Sequence, residues 1–315
     1  MKKYIIKEQE SGLTLEKYVK KVLNVAPLSF IYKLFRKKDV KINGHWQDKK
    51  YVISTDDEIS IFVTDEQLED FVEKNKFINS NQIAKNIVYE DKNLLIINKP
   101  RGLIVQPDAS NDISLDKMVC EYLSNDTTNA FTPGPVHRLD RNTSGLIVFG
   151  KNIQTLQYLS EIFKDHELVS KHYVALVVGD VKEDGIIDKP LYKGCNNMVY
   201  VSDKEEAKPA QTIYHVLERY GEYTLLDLIL LTGRSHQIRV HMASINHPVV
   251  GDEKYGDFKV NKLFYEKYKL KNQFLHAHEL CFGELEEPLR YLRNTNFVAD
   301  LPSEFKSILK DIKGE

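Results

Sequence analysis

Charge is segregated at the start of this chain, and that segregation dictates a fold in two parts. Between residues 14 and 50 ten basic side chains stand against three acids, a local excess of +7 in a protein whose formal total is −2, which leaves −9 for the remainder. An acid-rich stretch follows at once, from Asp56, Asp57 and Glu58 through Asp65, Glu66, Glu69, Asp70 and Glu73, and runs into polar residues 75–82. A chain of 315 residues corresponds to about two domains at ~150 residues each. The shift therefore predicts a small basic unit over 1–65, a linker over 66–82 and a larger unit over 83–315.

Composition removes several classes. With 42% hydrophobic and 29% charged residues, 15 Gly and 10 Pro, the chain is neither collagen-like nor wholly disordered. Cys120, Cys195 and Cys281 lie far apart with no CxxC pair, which excludes a disulfide framework or a cysteine-based zinc site and fits a reducing compartment. The longest apolar runs (94–97, 146–149 and the Asp227-interrupted 225–231) fall far short of the ~18 residues of a membrane helix. The first ten residues turn acidic before a signal-peptide core could form. A soluble, cytoplasmic protein without a membrane partner is the expectation.

In the basic part, Leu15, Tyr18, Val19, Val22 and Leu23 recur at helical spacing, as do Leu28, Ile31, Tyr32 and Phe35 after Pro27. Val40 and Ile42 then alternate up to an Asn43-Gly44 turn, and further alternation ends in Ile59-Ser60-Ile61. Arg36, Lys37, Lys38 and Lys41 gather where the second helix gives way to the first strand. A charge run alone is most often a solvated helix end, but phosphate neutralisation needs clustered cations of this kind. The pattern over residues 13–65 resembles the small RNA-binding domain named after ribosomal protein S four.

The larger part mixes strands (two within 87–98, then 145–149, 173–178, 213–217 and 223–231) with a helix bearing Leu156, Leu159, Ile162 and Phe163, and a second helix that Ser235 could cap. In that second helix Ile238, Met242 and Ile245 form the apolar stripe, with Arg239 pointing elsewhere. Without regular β-α alternation the fold class is α+β, with a mixed, largely antiparallel sheet in the larger domain and a small α/β N-terminal domain. Three motifs fail on inspection. Residues 145–152 imitate a phosphate loop, but Asn152 replaces its Ser or Thr and the interior is strand-forming. His137-Arg138-Leu139-Asp140 imitates a kinase catalytic loop in a chain without a GxGxxG. His166-Glu167, and His276 with His278, lack the further ligands a metal needs.

Two dense stretches remain. In the first, His137, Arg138 and Arg141 crowd round the single carboxylate of Asp140 ahead of Thr143-Ser144-Gly145. In the second, Arg234, Ser235, His236, Gln237 and Arg239 follow a long strand. A loop salt bridge and a capped helix explain each separately. Together they suggest a carboxylate among guanidinium groups suited to phosphate and base recognition.

These stretches, with 98–103, Lys171-His172-Tyr173-Val174-Ala175, His247-Pro248, Gly251-Asp252 and Tyr255-Gly256, occur in the order of the RluA-type pseudouridine synthases, which the chain resembles over residues 85–290. Gln106-Pro107 departs from a common His-Pro, and Ser235 from a common Thr. The resemblance implies an isomerase that converts uridine to pseudouridine in RNA, most often large-subunit ribosomal RNA or its precursor, acting as a monomer with no metal or cofactor. It implies Asp140 as the catalytic carboxylate, acting as base or nucleophile, and Arg239 as its partner, through an expected two-pronged contact. Tyr173 would stack on the base and accept the carbon-five proton, and Arg138 would fill the gap left by the flipped nucleotide. His137, Arg141, Arg234 and Gln237 would contact substrate. Alternatives are the same chemistry on transfer RNA, a non-catalytic RNA-binding ribosome assembly factor, or a retaining glycosidase, which would need a second carboxylate ~5 Å from the first.

Overall fold

The computed structural model describes residues 1–24, 26–64, 67, 83–107, 113–123, 131–194 and 198–314. The expected linker at 66–82 lies outside the described residues apart from Gln67.

The basic part forms a four-stranded sheet beneath two helices. Strand β1 (Lys2–Ile5) precedes α1 (Leu15–Val22) and α2 (Leu28–Arg36), then β2 (Val40–Ile42), β3 (His45–Trp46) and β4 (Glu58–Ile61) follow, in the sheet order β1-β4-β2-β3. Thr14 caps α1 by accepting from the Lys17 amide, and Leu15, Tyr18, Val19 and Val22 bury one face of it. Asn43 and Gly44 both take positive φ, 49° and 80°, as a two-residue hairpin turn requires. Strand β1 was not expected, because its cations hide the alternation by which Lys2 and Tyr4 are exposed less than their neighbours. The core of this unit also takes in Phe131 and Ile153 from the larger part.

The larger part is built on a ten-stranded sheet. It comprises β5 (Ile87–Glu90), β6 (Leu94–Lys99), the short β7 (Gly134–Pro135), β8 (Ser144–Gly150), β9 (Val169–Val178), β10 (Gly185–Asp188), β13 (Gln211–Arg219), β14 (Tyr223–Leu230), β15 (Leu275–Phe282) and β16 (Asn296–Val298). A separate hairpin joins β11 (Leu191–Lys193) to β12 (Val199–Val201). The main order is β10-β13-β14-β9-β15-β8-β6-β5, and β8 with β15 is the one parallel pair described. A mixed, largely antiparallel α+β fold is what the irregular element order predicts.

Both faces of the sheet are covered, which is why 94–97 and 146–149 are uninterrupted apolar runs and not alternating ones. Leu95, Ile97, Ile147, Phe149, Tyr173 and Ala175 pack with α3 (Leu115–Tyr122) and α5 (Gln237–Ser244) on one face. On the other, Leu94, Ile96, Leu146 and Val148 meet α4 (Ile153–Ile162), while Val174 and Leu176 meet α6 (Phe258–Tyr268) and α7 (Ser303–Lys313). Gly145 has φ +114°, and a Cβ there would sit 2.1 Å from the Ala277 carbonyl oxygen. Only glycine allows β8 to lie against β15 at this point.

Among the described residues no helix is long and apolar enough to cross a membrane.

Candidate active site

Asp140 follows Leu139, which is buried in the main core, so the carboxylate is presented at the end of an anchored loop. That loop is tied from below by Lys99, the last residue of β6. Its side chain is fully buried and its Nζ donates to the carbonyls of Pro100, Leu103 and Arg141 at 3.0, 2.8 and 3.0 Å. Burial pushes its pKa down to about 7, against the pull of Asp140. The three acceptors match the three N–H donors of the charged form, so the protonated amine is the species that fits the site. The Gly102 amide donates to the same Arg141 carbonyl.

Arg239 comes from α5. The apolar stripe faces the main core, with Ile238 and Met242 in it and Ile245 packed against it; Arg239 points elsewhere, but into a buried site, since residues 237–242 are all buried. Ser235 is not the cap. The cap position is His236, in the left-handed region with φ 55°. Arg239 donates a single N–H to Asp140, Nη1 to Oδ2 at 3.0 Å. The two-pronged contact expected with Asp140 is made instead with Asp252, Nε to Oδ2 at 2.6 Å and Nη2 to Oδ1 at 2.7 Å. Asp252 is fully buried whereas the Asp140 side chain is 28% exposed, and the carboxylate without water has the greater need of a paired cation. Burial alone would lower the arginine pKa, but Asp252 and then Asp140 raise it. Asp252 also accepts from the Lys254 and Tyr255 amides. A second carboxylate thus lies near Asp140, but it is sealed and saturated, unlike that of a retaining glycosidase.

Tyr173, on β9 opposite Leu228 and Ala277, is buried in the main core. Burial, then Asp140, raises its hydroxyl pKa, so the phenol keeps its proton at rest. His236 lies beside the carboxylate, Nε2 to Oδ2 4.0 Å, with Nδ1 2.8 Å from the Tyr255 hydroxyl. Tyr255 sets its ring 5.1 Å from the Arg239 guanidinium.

The remaining residues of the two stretches divide. Arg138 is exposed and Arg141 half-buried. His137 does not face the carboxylate: its ring stacks on Phe163 at 5.0 Å and its Nε2 accepts from the Val148 amide, while burial, with Lys171 adding, pushes its pKa down to about 3. Gln237 is also spent on structure, its Oε1 accepting from Thr232 and the Arg234 amide and its Nε2 donating to Gln211 and Thr212. Arg234 is exposed but its Nε is held by the Pro209 carbonyl at 2.9 Å. Lys99, His236, Asp252 and Tyr255 were not singled out for a role, although all four lie in the quoted stretches; spacing alone does not distinguish a ligand of the site from its scaffold.

On the basic unit Arg36, Lys37 and Lys38 are exposed and Lys41 half-buried. Cations hover over exposed rings: Lys38 over Trp46, Lys41 over Phe62, and both Lys20 and Lys49 over Tyr32, at 5.1–5.4 Å. Cations interleaved with open aromatic faces are the pattern of single-stranded nucleic-acid surfaces.

Residues 93–244 match the model of the RNA pseudouridylate synthase family. Ribosomal large subunit pseudouridine synthase D of Buchnera aphidicola subsp. Schizaphis graminum is 32% identical, over 96% of this chain and 95% of its own. Ribosomal large subunit pseudouridine synthase C of Vibrio parahaemolyticus is 31% identical over 88% and 87%. The chain belongs to the RNA pseudouridylate synthase family. Among solved structures, human RNA pseudouridylate synthase domain containing 4 is similar with a TM-score of 0.60 and 26% identity, covering 74% of this chain and 95% of that one. The pseudouridylate synthase match begins just before β6 and ends with α5, so it spans Asp140, Tyr173 and Arg239 but leaves out Asp252 and Tyr255.

Proposed function

We propose that this chain isomerises uridine to pseudouridine in large-subunit ribosomal RNA, acting as a cytoplasmic monomer that needs no metal or cofactor. The carrying observation is the half-open Asp140 carboxylate, held by one N–H of a buried arginine and within electrostatic reach of the Tyr173 hydroxyl. Support for the ribosomal target comes from relatives that bear that name and cover nearly the whole chain, basic unit included.

In the reaction the bond from ribose carbon one to uracil nitrogen one breaks, a bond from carbon one to carbon five forms, and a proton leaves carbon five while nitrogen one gains one. Nothing external is consumed. Asp140 acts at the sugar, as base or nucleophile, and Arg239 keeps it ionised. Tyr173 stacks on the uracil. Because its phenol is protonated at rest, it moves the carbon-five proton as a relay, taking one as it releases its own. The exposed Arg138 takes the place of the flipped nucleotide in the stack, and Arg141 and Arg234 meet flanking phosphates. Residues 1–65 form an RNA-binding domain whose Arg36, Lys37, Lys38 and Lys41 contact phosphates.

RNA tritiated at uracil carbon five tests the reading. Release of tritium with pseudouridine appearing at defined positions of large-subunit RNA is expected. Binding without release would make the chain an assembly factor, and release confined to transfer RNA would move the target.

A further inference from the structure

His236 lies beside Asp140, the reaction as described leaves it without a task, and its setting is unusually determined. Its backbone holds a left-handed conformation, φ 55° and ψ 18°, which costs energy for a residue with a side chain and tends to persist where function requires it. Its Nδ1 is 2.8 Å from the Tyr255 hydroxyl. That oxygen also accepts from the Val199 amide at 3.0 Å, and among the described residues Nδ1 is the acceptor within reach of the phenolic proton, so the proton is directed at Nδ1 and leaves it the bare nitrogen. The opposite nitrogen, Nε2, carries the hydrogen. Asp140, Arg239, Asp252 and Lys254 are the charged groups around the ring; burial, together with Arg239 and Lys254, outweighs the two carboxylates and keeps it neutral.

An N–H donor and a carboxylate therefore face each other 4.0 Å apart, too far to bond directly. The gap admits an oxygen about 2.8 Å from both. Whatever bridges it must donate to the carboxylate and accept from the imidazole. A carbonyl cannot donate, and an amide N–H cannot accept; a hydroxyl does both. If Asp140 acts at ribose carbon one, the hydroxyl on the adjacent carbon is the 2′-hydroxyl, the group by which a site distinguishes RNA from DNA.

We propose that His236 is a specificity residue that reads the 2′-hydroxyl of the target nucleotide in the gap it forms with Asp140, and that Tyr255 is the positioning residue that fixes its tautomer. This rests on the reading that uridine in RNA is the substrate. The test uses the full chain and one fragment of large-subunit ribosomal RNA, carrying uridine or 2′-deoxyuridine at the target position, in single-turnover reactions. Wild type should prefer the ribose target, and His236→Ala should shrink that preference about tenfold, the worth of one good hydrogen bond. His236→Gln, which sets an amide N–H near the Nε2 position, should retain most of it, and Tyr255→Phe should lose part. If His236→Ala fails to fold, His236→Asn, whose amide falls one bond short, should show the same loss. A wild type indifferent to the 2′-hydroxyl, or a preference equal in wild type and the alanine or asparagine variant, would overturn the proposal. A wild type that makes no pseudouridine even from the all-ribose fragment would overturn the functional reading instead.

Discussion

Asp140 and Asp252 share one guanidinium unequally, and their substitutions should separate accordingly. Asp140→Asn gives up a single hydrogen bond at a partly open position, so its urea midpoint should stay near wild type while turnover falls by at least about a thousandfold, within the range of a lost acid-base group. Arg239→Ala strands a fully buried carboxylate and should cost about 3 to 5 kcal/mol of stability as well as activity; an unchanged unfolding curve would contradict the Asp252 clamp. Tyr173→Phe keeps the stacking face, so RNA affinity should hold while product formation drops roughly a hundredfold or more; wild-type rates would remove the hydroxyl from the mechanism. His137 and His276 are held neutral, with pKa values down to about 3 and about 4. The unfolded chain binds their protons from near pH 6.5 downward while the native one does not, so stability should fall as pH drops from 6.5 toward 4. His137→Phe should flatten that slope in urea titrations from pH 7 to 5. At this scale the residue types of the site were legible and its wiring was not. His137 and Asp140 sit three apart in one stretch, yet one packs on Phe163 and the other faces Arg239, and only the course of the loop separates them.

The elements behave as supports of unequal importance. Lys99 ends β6 and joins the loop after that strand to the one bearing Asp140. Lys99→Met keeps the bulk but takes the Lys99 donor from the Pro100 and Leu103 carbonyls and leaves that of Arg141 with the Gly102 amide alone, each unpaired carbonyl being worth ~1–3 kcal/mol when buried; a loss of at least ~2 kcal/mol is expected in thermal or urea unfolding. Strands β6 and β8 could be read from the sequence because burial on both faces writes an unbroken apolar run, and the Asn43-Gly44 turn because few residues accept two positive φ values in succession. Helix α5 keeps its stripe of Ile238, Met242 and Ile245, but a helix buried over residues 237–242 carries no solvent face to orient Arg239, so its clamp on Asp252 was not legible. The hairpin β11–β12 and helices α3, α6 and α7 were not recognised, since many of their half-exposed positions are filled by lysines and tyrosines whose stems bury as well as their heads are wetted; strand β10, Gly185–Asp188, is too short to show an alternation.

The whole molecule places a cationic, aromatic surface and a carboxylate site in one packed body, with Phe131 and Ile153 buried in the core of the basic unit. Replacing Arg36, Lys37 and Lys38 together by Gln should weaken binding to every RNA, each lost phosphate contact flattening the slope of log affinity against log salt by about 0.7 to 0.9; an unchanged slope would place the RNA elsewhere. The basic part and the larger part build separate sheets, but the core they share could not be foreseen, because Phe131 and Ile153 lie over sixty residues away in sequence from the unit they complete. The parallel pairing of β8 with β15 runs for only two residue pairs, Ser144 with His276 and Gly145 with Ala277. On one side of that seam the chain supplies Lys99 and Asp140; on the other it supplies Tyr173, Arg239 and Asp252. Neither half holds a complete catalytic set, so in a refolding experiment turnover must be the last signal to return.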